Sequence, residues 1–191
     1  KGGFADRANI PAFAAYCERV VDTLADRVKT WVTVNEPTVF STMGYTLGMF
    51  PPGRRSIPTT LRVMRNLLFA HGTVYKALKP KHPELQFGVA KNVTLFDPKN
   101  RWSPIDWPLA RLMEWVWNGA WRSGIQNGKM FFKDVPEAKA SLDFVGLNYY
   151  THVLVGPASV SLLKMKFPKR RQEVATEFGY PMYAEGLARA L

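Results

Sequence analysis

The sequence predicts an α/β fold in which helices cover a parallel sheet. Three observations predict it. Segments of helical spacing alternate with short apolar strands in the order α-β-α-β-α-β-α, without hairpin signals. The long connections all follow strands, on the face where α/β barrels keep their active sites. The strand over 29–35 ends abruptly on Glu36-Pro37, which delivers a carboxylate to a strand end.

Each element follows from local pattern. Asn9 can cap a helix over 10–27, in which Phe13, Tyr16, Val20, Val21 and Leu24 recur at helical spacing. A strand over 29–35 comes next. Pro37 stops it and biases Glu36 towards extended backbone. The connection over 36–57 is long and contains Pro51-Pro52-Gly53, and loops of that length after a strand are usually functional. A second helix over 60–79 carries the apolar stripe Leu61, Met64, Leu67, Leu68, His71, Tyr75 and Leu78, and Pro80 ends it. A strand over 86–93 precedes another long loop over 96–108, with Asp97-Pro98 and Trp102. A tryptophan-rich helix over 109–125 and a strand over 143–149 follow. Residues 151–178 are poorly patterned, and a fourth helix opens at Tyr183. A closed barrel has eight strands and about 250 residues, so the chain reads as the middle of a larger barrel.

Composition narrows the function. At 191 residues and 47% hydrophobic content, residues 1–191 suffice for a single domain with a real core, as an incomplete part of a barrel. The formal charge of +11 suits an anionic partner in principle. Yet the positive residues are spread thinly. They gather only at Arg54-Arg55 and at 164–171, which reads as a solvated loop. With no RNA-binding aromatic signature, no basic amphipathic helix and no apolar segment of membrane length, neither nucleic acid nor a membrane is expected as partner. Cys17, the single cysteine, reads as a small buried hydrophobe. The impossibility of an internal disulfide is the sole basis for expecting a cytoplasmic protein. His71, His82 and His152 are scattered without metal-ligand spacing, so no metal or cofactor is expected. No signal peptide opens the chain, which begins on Lys1 rather than Met.

On residue chemistry alone, Glu36 can be a general acid, a metal ligand or a salt-bridge partner. A set of ordered motifs adds to this. Asp26-Arg27-Val28-Lys29-Thr30-Trp31 leads into Thr33-Val34-Asn35-Glu36-Pro37. Gly44-Tyr45, Pro51-Pro52-Gly53, Ala70-His71, Asp143-Phe144-Val145-Gly146-Leu147-Asn148-Tyr149-Tyr150 and Tyr183-Ala184-Glu185-Gly186-Leu187 follow in order. Together they resemble the central part of glycoside hydrolase family 1, the β-glucosidase and 6-phospho-β-glucosidase family. The likeness covers nearly the whole chain and is thinnest over 128–141 and 153–169.

The resemblance implies a segment of a TIM (β/α)8 barrel covering about strands 4 to 6 with their helices. It implies retaining hydrolysis of β-O-glycosidic bonds, acting on a β-linked disaccharide or an aryl or alkyl β-glycoside. Glu36 matches the family's general acid/base: a glycosidic oxygen leaves poorly until protonated, and the same group then deprotonates water. Asn35 matches the residue that holds the sugar 2-hydroxyl. Simple alternation points Asn35 and Glu36 to opposite faces, so both reach one site only if the strand kinks at its end. Tyr150 matches the tyrosine that contacts the nucleophile, and Asn148 lies on the same face two residues earlier, leaving Tyr149 to the helices. Asn92 matches a position near the leaving-group sugar, or is simply a polar strand end. His71 reads as a packed structural histidine. The tryptophans of the third helix read as core, and Trp102 is the aglycone candidate.

Retaining hydrolysis needs a second carboxylate about 5–5.5 Å from the first. The family supplies it from a Thr/Ser-Glu-Asn-Gly motif, which these residues lack, and Glu114, Glu137, Glu173, Glu177 and Glu185 stand at no strand end. The expectation is therefore a β-glycosidase parent whose present segment supplies the acid/base without the nucleophile. The alternative is a catalytically inactive half-barrel that binds sugar or a partner.

Overall fold

The structure, a computed structural model, describes residues 2–157 and 174–191. The basic run at 164–171 and Glu173 lie outside the described residues. Helix α1 (Ile10–Leu24) carries Pro11 in its first turn. Asn9 stands at its cap position but does not cap it as expected: its backbone is already helical, with φ −84° and ψ −11°, rather than extended, and its side-chain amide donates to Gly3 O at 2.8 Å. The helix stops at Leu24 rather than 27, where Arg27 N–H and Val28 N–H both turn back to the Leu24 carbonyl. Strand β1 (Thr30–Asn35) follows.

Pro37 does more than stop that strand. Its fixed φ and missing N–H suit the first position of a short helix, α2 (Pro37–Ser41), which runs into a π turn at Thr42–Thr46. The first half of the expected loop is therefore helical. Ser56 Oγ accepts the Thr59 N–H at 3.3 Å and starts α3 (Ile57–Leu78) earlier than expected. Strand β2 (Gln86–Pro98) runs past 93, so Asp97 and Pro98 end a strand instead of opening a loop. Most of β2 is buried on both faces, which erases the alternation that marks a strand end.

The expected helix over 109–125 is split into α4 (Asp106–Glu114), a π turn at Trp115–Gly119 and α5 (Ala120–Asn127). A small antiparallel hairpin, β3 (Lys129–Met130) and β4 (Lys133–Asp134), corrects the reading that hairpins are absent. Its turn residues Phe131 and Phe132 hold φ of 49° and 61°, values that Asn-Gly usually supplies, so the sequence carried no turn signal. Strand β5 (Phe144–Val155) takes in residues read as unpatterned, and α6 (Glu185–Ala190) closes the described chain.

The main sheet has the order β1-β2-β5, and β1 pairs parallel with β2 from Thr30–Gln86 to Asn35–Ala90. Asp143 N–H bonds to Phe87 O at one end of β5, and Lys99 N–H to Val155 O at the other, so β5 also runs parallel to β2. The described residues gather into two compact units, Lys1–Lys91 with Ala120–Leu147, and Asn92–Gly119 with Asn148–Leu191.

The first unit holds two apolar clusters. Val63, Met64, Leu67 and Leu68 of α3 join Val34, Val89 and Trp121 in one. Val74 and Leu78 of α3 join Val21, Leu85 and Phe87 in the other, with Trp31 and Cys17 packed against them. Burial pushes the Cys17 thiol up to about 11, and the residue, expected to be buried, is half-buried against this cluster as a small hydrophobe rather than a reactive thiol. Gly72 lets α3 press on the turn at Pro136–Ala138: a Cβ there would overlap Glu137 O and meet Ala138 N at 2.7 Å. Gly72→Ala is expected to cost about 2 kcal/mol by overpacking, measured by urea unfolding.

In the second unit the loop after β2 closes on Asp106, which accepts from Asn100 N–H and Ser103 Oγ–H, both at 2.8 Å.

Candidate active site

The end of β1 is built by two breaks in strand geometry. Thr30 and Val32 are exposed, while Trp31 packs into the second cluster and Thr33 bonds to α3. The register then slips, with Val32 opposite Gly88 and Val34 opposite Val89, so Thr33 has no partner of its own. This bulge turns both Thr33 and Val34 towards the helices and brings Asn35 out to the exposed side. The second break is at Glu36, with φ 46° and ψ 56°, a left-handed conformation that costs a residue with a Cβ about 1–3 kcal/mol. Expected to be extended, Glu36 instead donates its N–H to Ala90 O at 2.7 Å while its carbonyl accepts Phe40 N–H at 2.9 Å. It is thus the cap residue that joins the end of β1 to the start of α2, and those two bonds hold the strained backbone. The strand end is therefore kinked, and Glu36 is half-buried.

His71 anchors this strand end from behind. Its Nδ1 lies 2.6 Å from Thr33 Oγ1, which also donates to Gly88 O at 3.2 Å. The ring is fully buried, and burial drives its pKa down to about 4 against an opposing backbone hydrogen bond with Ser141. His71 is therefore a neutral packing residue, as read from the sequence.

The other candidate residues belong to the second unit. Asn92 on β2 is buried, and its Oδ1 accepts from Trp117 Nε1–H at 3.0 Å and Thr94 Oγ1–H at 2.9 Å. Asn148 and Tyr150 alternate on one face of β5, half-buried and exposed respectively. Tyr149 takes the opposite face, where its hydroxyl donates to Tyr183 O at 2.8 Å over Gly186, whose missing Cβ makes room for it. Tyr150 lies against Tyr180, with ring centroids 6.3 Å apart. Trp121 is core, whereas Trp115 is exposed and Trp117 is spent on Asn92, so only part of the tryptophan expectation holds. Trp102 is 80% exposed beneath the Arg101 guanidinium.

Sequence reasoning missed an ionic knot beside these residues, in which Asp97 and His152 are buried and Arg189 is exposed. Asp97 on β2 bonds to His152 Nδ1 at 2.9 Å and accepts both guanidinium nitrogens of Arg189 on α6, at 2.9 and 3.1 Å. Burial opposes ionisation of Asp97, but the His152 and Arg189 hydrogen bonds outweigh it and hold its carboxyl well below the usual range. His152 stacks on Tyr183 at 4.3 Å, and Arg189 bonds the Tyr183 hydroxyl at 2.9 Å. The knot ties β2, β5 and α6 together, two residues beyond Tyr150. Its members lie 55 and 92 positions apart in the chain, beyond any local signal.

This geometry can be set beside known proteins. The model of the glycosyl hydrolase family 1 matches residues 1–187. The chain belongs to that family. Beta-glucosidase A of Thermotoga maritima is 30% identical over 98% of this family 1 chain, which spans 45% of that protein. Beta-glucosidase A of Acetivibrio thermocellus is 37% identical over 51% of the chain. The Thermotoga maritima beta-glucosidase solved in complex with glucoimidazole superposes with a TM-score of 0.86 over 98% of the chain and 45% of its own length. A beta-glycosidase from Pyrococcus horikoshii superposes with a TM-score of 0.81 at 30% identity, over the whole chain and 45% of its own. This family 1 chain therefore has the fold of a TIM-barrel segment and spans under half the length of these relatives.

Proposed function

We propose that this chain supplies the acid/base half of a retaining β-glycosidase acting on a β-linked disaccharide or an aryl or alkyl β-glycoside. The observation that carries the proposal is the left-handed backbone at Glu36, which frees its side chain from strand alternation directly after Asn35. Family membership, and the beta-glucosidase names of its relatives, supply the reaction class. In this reading Glu36 protonates the glycosidic oxygen as the bond breaks, then takes a proton from the water that releases the sugar. Asn35 donates to the sugar 2-hydroxyl. Asn148 and Tyr150 serve the sugar side of β5, and Asn92 stands near the leaving-group sugar.

These residues contain no Glu-Asn-Gly motif, so the 191-residue chain by itself is expected to leave an aryl β-glucoside intact. The test replaces the matching segment of the Thermotoga maritima beta-glucosidase A with residues 1–187 and measures aryl β-glucoside hydrolysis. Turnover that Glu36→Gln abolishes supports the proposal. Hydrolysis by the 191 residues alone, abolished by the same change, refutes the division of labour. A folded chimaera that keeps its rate as Glu36→Gln refutes the role of Glu36.

A further inference from the structure

A second candidate site lies in the first unit and shares no residue with the one above. An open cleft of about 530 Å³ is lined by Arg7, Arg54, Arg62, Asn66 and Asp6. The arginines come from separate elements. Arg7 opens a 3-10 turn, with its guanidinium 3.6 Å over the Phe69 ring. The Arg54 N–H bonds to Gly44 O at 3.0 Å, and its charge acts on the buried Tyr45 phenol. Arg62 and Asn66 stand one turn apart on α3, and the Asn66 amide donates to Phe4 O at 2.8 Å, which fixes the amide in the wall.

The cleft is electrostatically unbalanced. Three arginines and one aspartate line it, and an oxygen of that carboxylate, Asp6 Oδ1, already accepts the Ala8 N–H at 3.0 Å. Among the described residues none of these arginines is in an ion pair with a carboxylate. Guanidiniums gathered this way repel one another until an anion joins them, and their forked donors match phosphate oxygens in pairs. The cleft also falls in the range of roughly 300–1,000 Å³ typical of small-molecule sites, more than a bare phosphate fills.

We propose that this cleft binds a small organic phosphate, with the phosphate on Arg54 and Arg62 and the organic body in the remaining space beside Arg7 and Asn66. The proposal does not depend on the glycosidase reading.

Phenyl phosphate, phenol and inorganic phosphate are the probes, titrated by calorimetry into the whole chain at low and high salt. Phenyl phosphate is expected to bind with saturation at one site and to weaken with salt, inorganic phosphate to compete less well, and phenol not to bind. Arg54→Ala with Arg62→Ala should weaken binding by about tenfold or more, given the strength of charge-assisted bonds. Arg54→Lys with Arg62→Lys, which keeps the charge and the exposed surface, should lose part of the affinity. Glu36→Gln should lose none. Equal loss on Arg19→Ala with Arg27→Ala would reduce the effect to general charge and overturn the proposal. So would alanine variants that fold by circular dichroism and bind phenyl phosphate undiminished.

Discussion

In the chimaera that carries residues 1–187 within a complete barrel, Glu36→Gln is expected to lower kcat/KM for an alkyl β-glucoside by about 10²–10⁴-fold, the usual worth of a positioned general acid/base. Glutamine keeps the shape and half-burial of the side chain but has no carboxylic proton to give. The loss should depend on the leaving group. An alkoxide must be protonated as it departs, whereas a dinitrophenolate departs unaided, so bond cleavage for a dinitrophenyl β-glucoside should lose far less. Equal losses on both substrates would remove Glu36 from the acid role and leave it as a strand-end carboxylate.

The second large effect is a pH dependence of stability set by His71. Its folded pKa is lowered from 6.5 to about 4 by burial, and among the described residues no carboxylate is paired with it. Below pH 6.5 the unfolded chain therefore binds a proton that the folded chain refuses, and stability falls as the pH drops. Above pH 6.5 the contribution is fully present. By about pH 4 it has been lost, a change of about 3 kcal/mol across that window. Urea unfolding between pH 4 and 7 should show this slope. His71→Gln should be less stable at pH 7 yet much flatter with pH. A variant that keeps the native slope would assign the dependence to other groups. Because His71 holds Thr33, three residues before Glu36, the same acidification should loosen the strand end that presents the carboxylate.

How much of this was legible varied with the range of the interaction. Helical spacing located α1 and α3 because each buries one continuous stripe, and that stripe is written in consecutive turns. The π turn at Trp115–Gly119 and the Phe131-Phe132 hairpin were not legible, since both depend on packing that tolerates backbone the residues themselves do not favour. Strand β2 was read short because burial on both faces removes the alternation on which the reading relied. Within the site, the identity and address of Glu36 could be read from a strand ending on Asn-Glu-Pro. Its left-handed backbone could not, as Pro37 taken alone argues for an extended residue.

By itself, then, the sequence determined the parallel α/β class, the order of the three long strands along the chain, the family, and that Asn35 and Glu36 stand at the end of the first strand. These depend on residue type and spacing within short windows. Only the tertiary structure decided how β1 bulges at Thr33 and turns at Glu36, which helix holds that bulge through His71, that Asp97 is locked between His152 and Arg189, and that Arg7, Arg54 and Arg62 share a cleft. Each of those joins residues far apart in the chain, and local pattern carries no record of which distant partner will satisfy a bond or leave a charge unbalanced.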